Sequence, residues 1–267
     1  MFVFMFKIKI FLFFCVTGLL CSCGLLGQSD SIFEKHIFCY NSADTLLYRM
    51  MKPVKINNSE KYPLVLFLHG AGERGNDNNI QLVNGVKNFA SEQIRKTYPC
   101  YVIAPQCAEG FRWVEVPWNL LSHKQPEKPS VYLDLSMKLI DSLIKNLNID
   151  TNRIYITGLS MGGFGTWDAI SRYPNKFVAA IPICGGGDTA KTELIKNVAI
   201  WAFHGENDKV VKVSRSRDMI SAIKRAGGTP KYTEYPNTGH DAYTKTYKNI
   251  DLYKWLFSQS KLNQEKR

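Results

Sequence analysis

An α/β protein with an eight-stranded, mostly parallel sheet and helices on both faces is what this sequence predicts. Three observations lead there. Short apolar runs alternate with longer amphipathic segments along most of the chain, the order that builds parallel sheets. The run Tyr62-Pro63-Leu64-Val65-Leu66-Phe67-Leu68 is apolar at every position, as a strand covered on both faces must be. A length of 267 residues, 45% of them hydrophobic, suffices for one large core and favours a single domain.

Taken in order, Ile32–Tyr40 and Leu46–Lys52 flank the turn sequence Asn41-Ser42-Ala43-Asp44 and read as an antiparallel hairpin. Further strands are expected at Tyr62–Leu68, Tyr101–Ala104, Arg153–Thr157, Val178–Cys184, Ala199–Phe203 and Lys231–Tyr235. Helices are expected at Asn79–Lys96, Val131–Leu147, Gly163–Tyr173, Val213–Ala226 and Thr244–Ser260. Within 131–147 the spacing is plain, because Leu135, Leu139, Leu143 and Leu147 recur every four residues beside Ile140 and Ile144. Pro105–Ser130 has no period and carries four prolines with Trp113 and Trp118. It is long enough to be a functional loop, and the two tryptophans are candidate substrate-binding residues. In such a sheet the site is expected at the carboxyl ends of the strands.

The start of the chain is a separate object. Two lysines, an apolar run from Ile10 to Leu20 and small residues after it describe an export signal over residues 1–22. The ending Leu20-Cys21-Ser22-Cys23 resembles a bacterial lipobox, with Cys23 as the lipidated first residue of a membrane-anchored, exported protein. Residues 23–31 would then be a tether, 32–260 the catalytic domain and 261–267 a basic tail. The apolar run is well short of the ~20 residues of a spanning helix.

Formal net charge is +11, and falls by two when Lys7 and Lys9 leave with the signal. The remaining lysines and arginines are scattered rather than clustered with aromatics, which argues against a nucleic-acid partner. Cys39, Cys100, Cys107 and Cys184 could pair in an oxidising compartment in three ways that sequence does not choose between. None has the spacing of a metal site, and no metal or cofactor is predicted.

The chemistry centres on Gly158-Leu159-Ser160-Met161-Gly162. It follows a predicted strand and precedes a predicted helix, the strand-to-helix elbow that exposes a strained serine. A serine hydroxyl needs a base to act as nucleophile, and in elbow folds the acid and then the histidine follow it along the chain. Of five histidines only His204 and His240 lie beyond Ser160. His204 precedes the acids that end the same strand, which leaves His240 as the base. In Gly205-Glu206-Asn207-Asp208 the favoured acid is Asp208, with Glu206 and Asp188 as alternatives. An oxyanion hole needs two preorganised amides. The N–H of Met161 is one candidate, and that of Ala71, in His69-Gly70-Ala71-Gly72-Glu73-Arg74-Gly75, is the other. His69 itself is expected to be structural, and without a following Gly-Lys-Ser/Thr the glycines do not make a phosphate loop.

With LFLHGAGERG, APQC, GLSMGG, HGEND and TGH in place, the chain resembles the α/β-hydrolase superfamily over nearly all of its mature length. Within it, the chain is similar to the bacterial predicted peptidases and phospholipase/carboxylesterases, relatives of feruloyl esterases and polyhydroxybutyrate depolymerases. The resemblance implies an α/β-hydrolase fold without a large cap domain. It also implies Ser160, Asp208 and His240 as a triad, with Ala71 and Met161 as the oxyanion hole. The expected activity is hydrolysis of carboxylic esters through an acyl-enzyme, with acyl or feruloyl esters of saccharides among the candidate substrates. A serine peptidase using the same triad on short peptides is the second reading, and a glycan-binding surface lipoprotein the third.

Overall fold

The computed structural model describes residues 32–264 apart from residue 43. The export signal, Cys23 and the tether lie outside the described residues, as does the basic tail from residue 265. Eight strands form one sheet: β1 (Glu34–Cys39), β2 (Thr45–Met51), β3 (Tyr62–Leu68), β4 (Tyr101–Pro105), β5 (Ile149–Leu159), β6 (Ala179–Ile183), β7 (Ala199–Gly205) and β8 (Lys231–Tyr235). Their order is β1-β2-β4-β3-β5-β6-β7-β8. The hairpin pairs are antiparallel, β1 with β2 and β2 with β4, and every pairing from β4 across to β8 is parallel. The β3–β5 ladder shifts register between Tyr62 and Leu64, where Pro63 has no N–H to donate.

Side-chain alternation divides the core between the two faces of the sheet. Leu64, Leu66 and Leu68 of β3 pack with Leu135, Leu139 and Leu143 of α2 (Val131–Asn146) and with Phe164 and Trp167 of α3 (Met161–Arg172). Val65 and Phe67 pack on the opposite side with Phe89, Tyr247 and Tyr253. The chain leaves β3 toward β4 and then returns from β4 to β5 on the other side of β3. That reversal places the ends of β3 and β5 beside one another at the switch point.

Two expected helices are broken. The segment 79–96 forms 3-10 turns at Ile80–Leu82 and Val86–Ala90 before the short helix α1 (Glu92–Thr97). Gly85 has φ +79°, outside the right-handed helical region, and Ser91 is extended. Toward the C-terminus, α6 (Ala242–Lys248) and α7 (Ile250–Phe257) meet at Asn249, which is extended and caps α7 by accepting from the Asp251 N–H. The remaining helices are α4 (Thr192–Ile195), α5 (Ser214–Arg225) and α8 (Lys261–Gln264).

The loop after β3 is fixed by His69, which is 1% exposed. Its Nδ1 meets the Gly70 carbonyl at 2.6 Å, and its Nε2 accepts from the Cys107 N–H at 3.0 Å. An Nε2 that accepts and an Nδ1 that donates define one neutral tautomer. Burial lowers its pKa to about 4, against the opposing hydrogen bond to Gly70. Trp113 closes the arrangement from the other side. Its indole N–H donates to the His69 carbonyl at 2.9 Å and its ring meets the imidazole edge-on.

Two tests follow from these packings. A Cβ at residue 162 would lie 1.9 Å from the Leu68 carbonyl oxygen, whereas at residue 72 it would meet nothing within 4 Å. Gly162→Ala should therefore cost on the order of 3 kcal/mol and lower Tm by about 10 °C. Gly72→Ala should stay within about 0.5 kcal/mol of the parent. The second test uses His69. Below about pH 6.5 the unfolded chain protonates this histidine while the fold keeps it neutral down to about pH 4. Its contribution is thus intact above pH 6.5 and lost as pH falls toward 4. The urea midpoint should drop less between pH 7.5 and pH 5 for His69→Gln than for the parent. Equal drops would mean that the folded state protonates His69.

Candidate active site

Ser160 sits between β5 and α3 with φ +53° and ψ −117°, a conformation that costs a non-glycine residue about 1–3 kcal/mol. The neighbouring backbone holds it there. Its N–H donates to the Ile183 carbonyl at the end of β6 at 2.8 Å. The glycines behind it bring the first turn of α3 onto two strand ends, since Gly162 abuts the Leu68 carbonyl and Gly163 the Ile183 carbonyl. No side chain fits in either gap.

His240 and Asp208 arrive from the next strand ends. His240 lies in the loop between β8 and α6, and residues 238–239 of that loop pack on Gly205, the last residue of β7. His240 Nε2 is 2.8 Å from Ser160 Oγ, and its Nδ1 is 2.7 Å from Asp208 Oδ2. The imidazole side chain is 24% exposed and the Asp208 side chain 0%. Asp208 Oδ1 accepts from the N–H groups of Val210 and Val211, each at 2.9 Å. Burial alone would raise the pKa of this carboxyl. Bonds from His204, His240 and the Val211 amide outweigh it and hold the group well below the usual carboxylate range. The carboxylate is therefore charged at neutral pH and aimed at Nδ1, and Nε2 faces the serine hydroxyl.

The other acids considered from sequence are elsewhere. Glu206 accepts from the Asn237 N–H, and Asp188 accepts from the amides of Ala190 and Gln125. Ala71 opens the 3-10 turn after β3 and Met161 opens α3, so both offer first-turn N–H groups that a helix leaves without an internal acceptor. The approach of Gly162 to the carbonyls of Leu68 and His69 sets these two turns side by side. Arg74 braces the first of them, since its Nε donates to the Ala71 carbonyl at 2.9 Å.

The expectation of a substrate contact at Trp113 requires a correction. Trp113 is 0% exposed and its indole is committed to His69, so it has no face to offer a ligand. Burying the largest apolar side chain of the loop is what anchors the loop to the core. Trp118 is partly buried, and the Arg112 guanidinium lies 4.6 Å over its ring. The segment around them is tied down at several points. Arg215, buried on α5, donates to the Leu120 carbonyl at 2.9 Å and pairs with His123. The Gln125 side chain reaches Asp168 at 2.9 Å. Leu121 then borders a depression of about 590 Å³ whose other side carries Lys209 and Lys212.

His204 is the residue whose contact to the site the sequence argument did not foresee. It is fully buried, with Nε2 3.2 Å from Asp208 Oδ2. A histidine four residues before the acid, across a tight turn, was the available signal. Among the described residues Cys184, His204 and Asp208 bring potential metal-ligand atoms within 4.8 Å of one another. Those atoms already serve each other. The His204 Nε2 proton points at acceptors, and burial pushes the Cys184 thiol up, so that it stays protonated. Cys39, Cys100, Cys107 and Cys184 are unpaired, and all but Cys39 are buried. Among the described residues no helix is long and apolar enough to cross a membrane.

The profile of the phospholipase/carboxylesterase family matches residues 51–253, a span that contains Ser160, Asp208, His240 and the loop after β3. The chain is 31% identical over 239 residues to poly(3-hydroxyalkanoate) depolymerase C of Paucimonas lemoignei, covering 76% of this chain and 54% of that protein. It is 28% identical over 203 residues to a bifunctional acetylxylan esterase/xylanase of Neocallimastix patriciarum, covering 74% of this chain and 26% of that one. The chain thus spans about half the length of the first of these curated relatives and a quarter of the second. The crystal structure of a thermostable esterase superposes with TM-score 0.82 at 41% identity, over 88% of this chain and 64% of that one. A ferulic acid esterase, with TM-score 0.60 at 16% identity over 84% of this chain and all of that one, shares the fold. With a family match across three quarters of its length and the α/β-hydrolase sheet beneath it, the chain belongs to the phospholipase/carboxylesterase family.

Proposed function

We propose that this chain is a serine esterase in which Ser160 attacks the ester carbonyl, His240 takes and returns the proton, and Asp208 orients the base and stabilises its imidazolium. The observation that carries the reading is the unbroken line Ser160 Oγ, His240 Nε2, His240 Nδ1, Asp208 Oδ2, with contacts of 2.8 and 2.7 Å. As Ser160 Oγ adds to the carbonyl carbon, its proton passes to Nε2 and the carbonyl oxygen becomes an oxyanion. The N–H groups of Ala71 and Met161 stabilise that charge at the mouths of two helical turns. The resulting imidazolium gives its proton to the departing alcohol, leaving an acyl-enzyme. Water, deprotonated by His240, then releases the acid.

The relatives favour an ester substrate whose alcohol is a sugar or a hydroxyacid. One is named as an esterase of acetylated xylan and another as a depolymerase of a polyester. We place the leaving group along the 118–125 segment, which Arg215 and Gln125 hold in position and which the half-buried Trp118 opens.

Ser160→Ala should reduce kcat on a p-nitrophenyl acyl ester by at least about 10⁴-fold with Tm unchanged, and should abolish labelling by a fluorophosphonate. Asp208→Asn should lose somewhat less, roughly 10³–10⁴-fold. Faster turnover of aminopeptide substrates than of the ester series would replace the esterase by a peptidase on the same residues.

We further propose that the chain is exported and lipid-anchored through Cys23. The motif Leu20-Cys21-Ser22-Cys23 supports this, and stable anchoring takes about two acyl chains. Cys23→Ala should move active enzyme from the membrane to the soluble fraction. If the variant stays in the membrane to the same extent, the anchor is something other than a lipid on Cys23.

A further inference from the structure

A second histidine stands behind the candidate acid. His204 Nε2 is 3.0 Å from the Val211 carbonyl oxygen, which can only accept, so Nε2 carries a hydrogen. The same nitrogen is 3.2 Å from Asp208 Oδ2, the oxygen that faces His240. On the far side of the ring, Nδ1 is 2.7 Å from Ser216 Oγ on α5, and that hydroxyl also lies 3.2 Å from the Gly185 carbonyl. His204 and Ser216 are both fully buried. One oxygen of Asp208 is therefore shared by two imidazole N–H groups, while the other is filled by two amides.

We propose that His204 is a positioning residue for the Ser160–His240–Asp208 system, acting through Asp208 Oδ2. This rests on the reading of those three residues as the triad. It has two consequences. The carboxylate is pinned from both sides, so Oδ2 stays in line with His240 Nδ1. In addition, a carboxylate oxygen already accepting one N–H attracts a second proton less strongly. His204 therefore tempers the pull of Asp208 on His240 and favours the neutral, proton-accepting form of the base at lower pH.

The other titratable groups around this oxygen come from four elements. Cys184, at the end of β6, is kept protonated by burial. Glu206, Lys209 and Lys212 stand on the loop after β7, around the depression that Asp208 borders. Glu234 on β8 is engaged by Arg217 of α5. Asp241 follows His240 directly and is exposed. Cys184 also hydrogen-bonds Asp208, but as a buried, protonated thiol it carries no charge, so the effect is expected to follow the His204 donor.

The test is the pH dependence of kcat/KM on a neutral ester, with kcat and KM resolved, for the wild type, His204→Phe, His204→Gln and Ser216→Ala. His204→Phe should lower kcat roughly tenfold with little change in KM and move the acid limb upward by about 0.5–1 pH unit. His204→Gln, which keeps an N–H donor, should recover part of both. Ser216→Ala frees the ring from its outer hydrogen bond and should shift the limb in the same direction by less. Should His204→Phe fail to fold, the Ser216→Ala and His204→Gln shifts decide. An acid limb unmoved in the folded variants, or His204→Gln as impaired as His204→Phe while Tm alone falls, would overturn the proposal. Ser160→Ala run alongside separates the two ideas: if it retains activity the triad reading fails, and if it is dead while the limb stays fixed only the His204 proposal fails.

Discussion

Everything at the site depends on how closely three pieces of backbone approach one another behind Ser160. Gly162 lies against the Leu68 carbonyl, Gly163 against the Ile183 carbonyl, and the Ser160 N–H is bonded to Ile183. A positive φ at serine is unfavourable on its own. It persists because the start of α3 is wedged between the ends of β3 and β6, and a Cβ at either glycine would force it out. Those same contacts set the first amides of α3 beside the turn that begins at Ala71. The strain that exposes the hydroxyl and the alignment of the amides are consequences of one packing event.

That dependence explains what was legible in the sequence. Gly158 to Gly162 spells the elbow locally, and the order of the remaining histidines and acids along the chain leaves few partners for Ser160. Asp208 and His240 meet it because consecutive strands β5 to β8 are neighbours in the parallel part of the sheet, so chain order becomes spatial order. The strands were readable for the same reason, since a buried strand leaves an apolar run whatever lies on either side.

Features set by long-range contact were less legible. The expected helix over 79–96 has apolar residues at useful spacings, yet Gly85 takes φ +79° because its Cα faces the Tyr247 ring, which a Cβ would meet at 2.4 Å. Tyr247 lies more than 160 positions away in sequence. Trp113 looked like a ligand-binding aromatic because nothing in its own segment says what it covers. In the fold it covers His69, through a bond to that residue's carbonyl. His204 precedes Asp208 in the chain, and chain order carries no information about a residue that touches the carboxylate from behind.

The division between what can vary and what cannot follows from these attachments. Ser160, His240, Asp208 and the elbow are held by strand ends and backbone carbonyls, which tolerate almost no change in volume. The 118–125 segment is held differently, by side chains: Arg215 on α5 and, through Gln125, Asp168 on α3. Such attachments leave the backbone of the segment free to take other courses when its sequence changes, without moving Ser160 or His240. Val116, buried with Trp113 and Val114 at the root of the loop, marks where the fixed part ends. Downstream of it the surface can be remodelled, while Ser160, His240 and Asp208 beneath keep their hydrogen-bond distances.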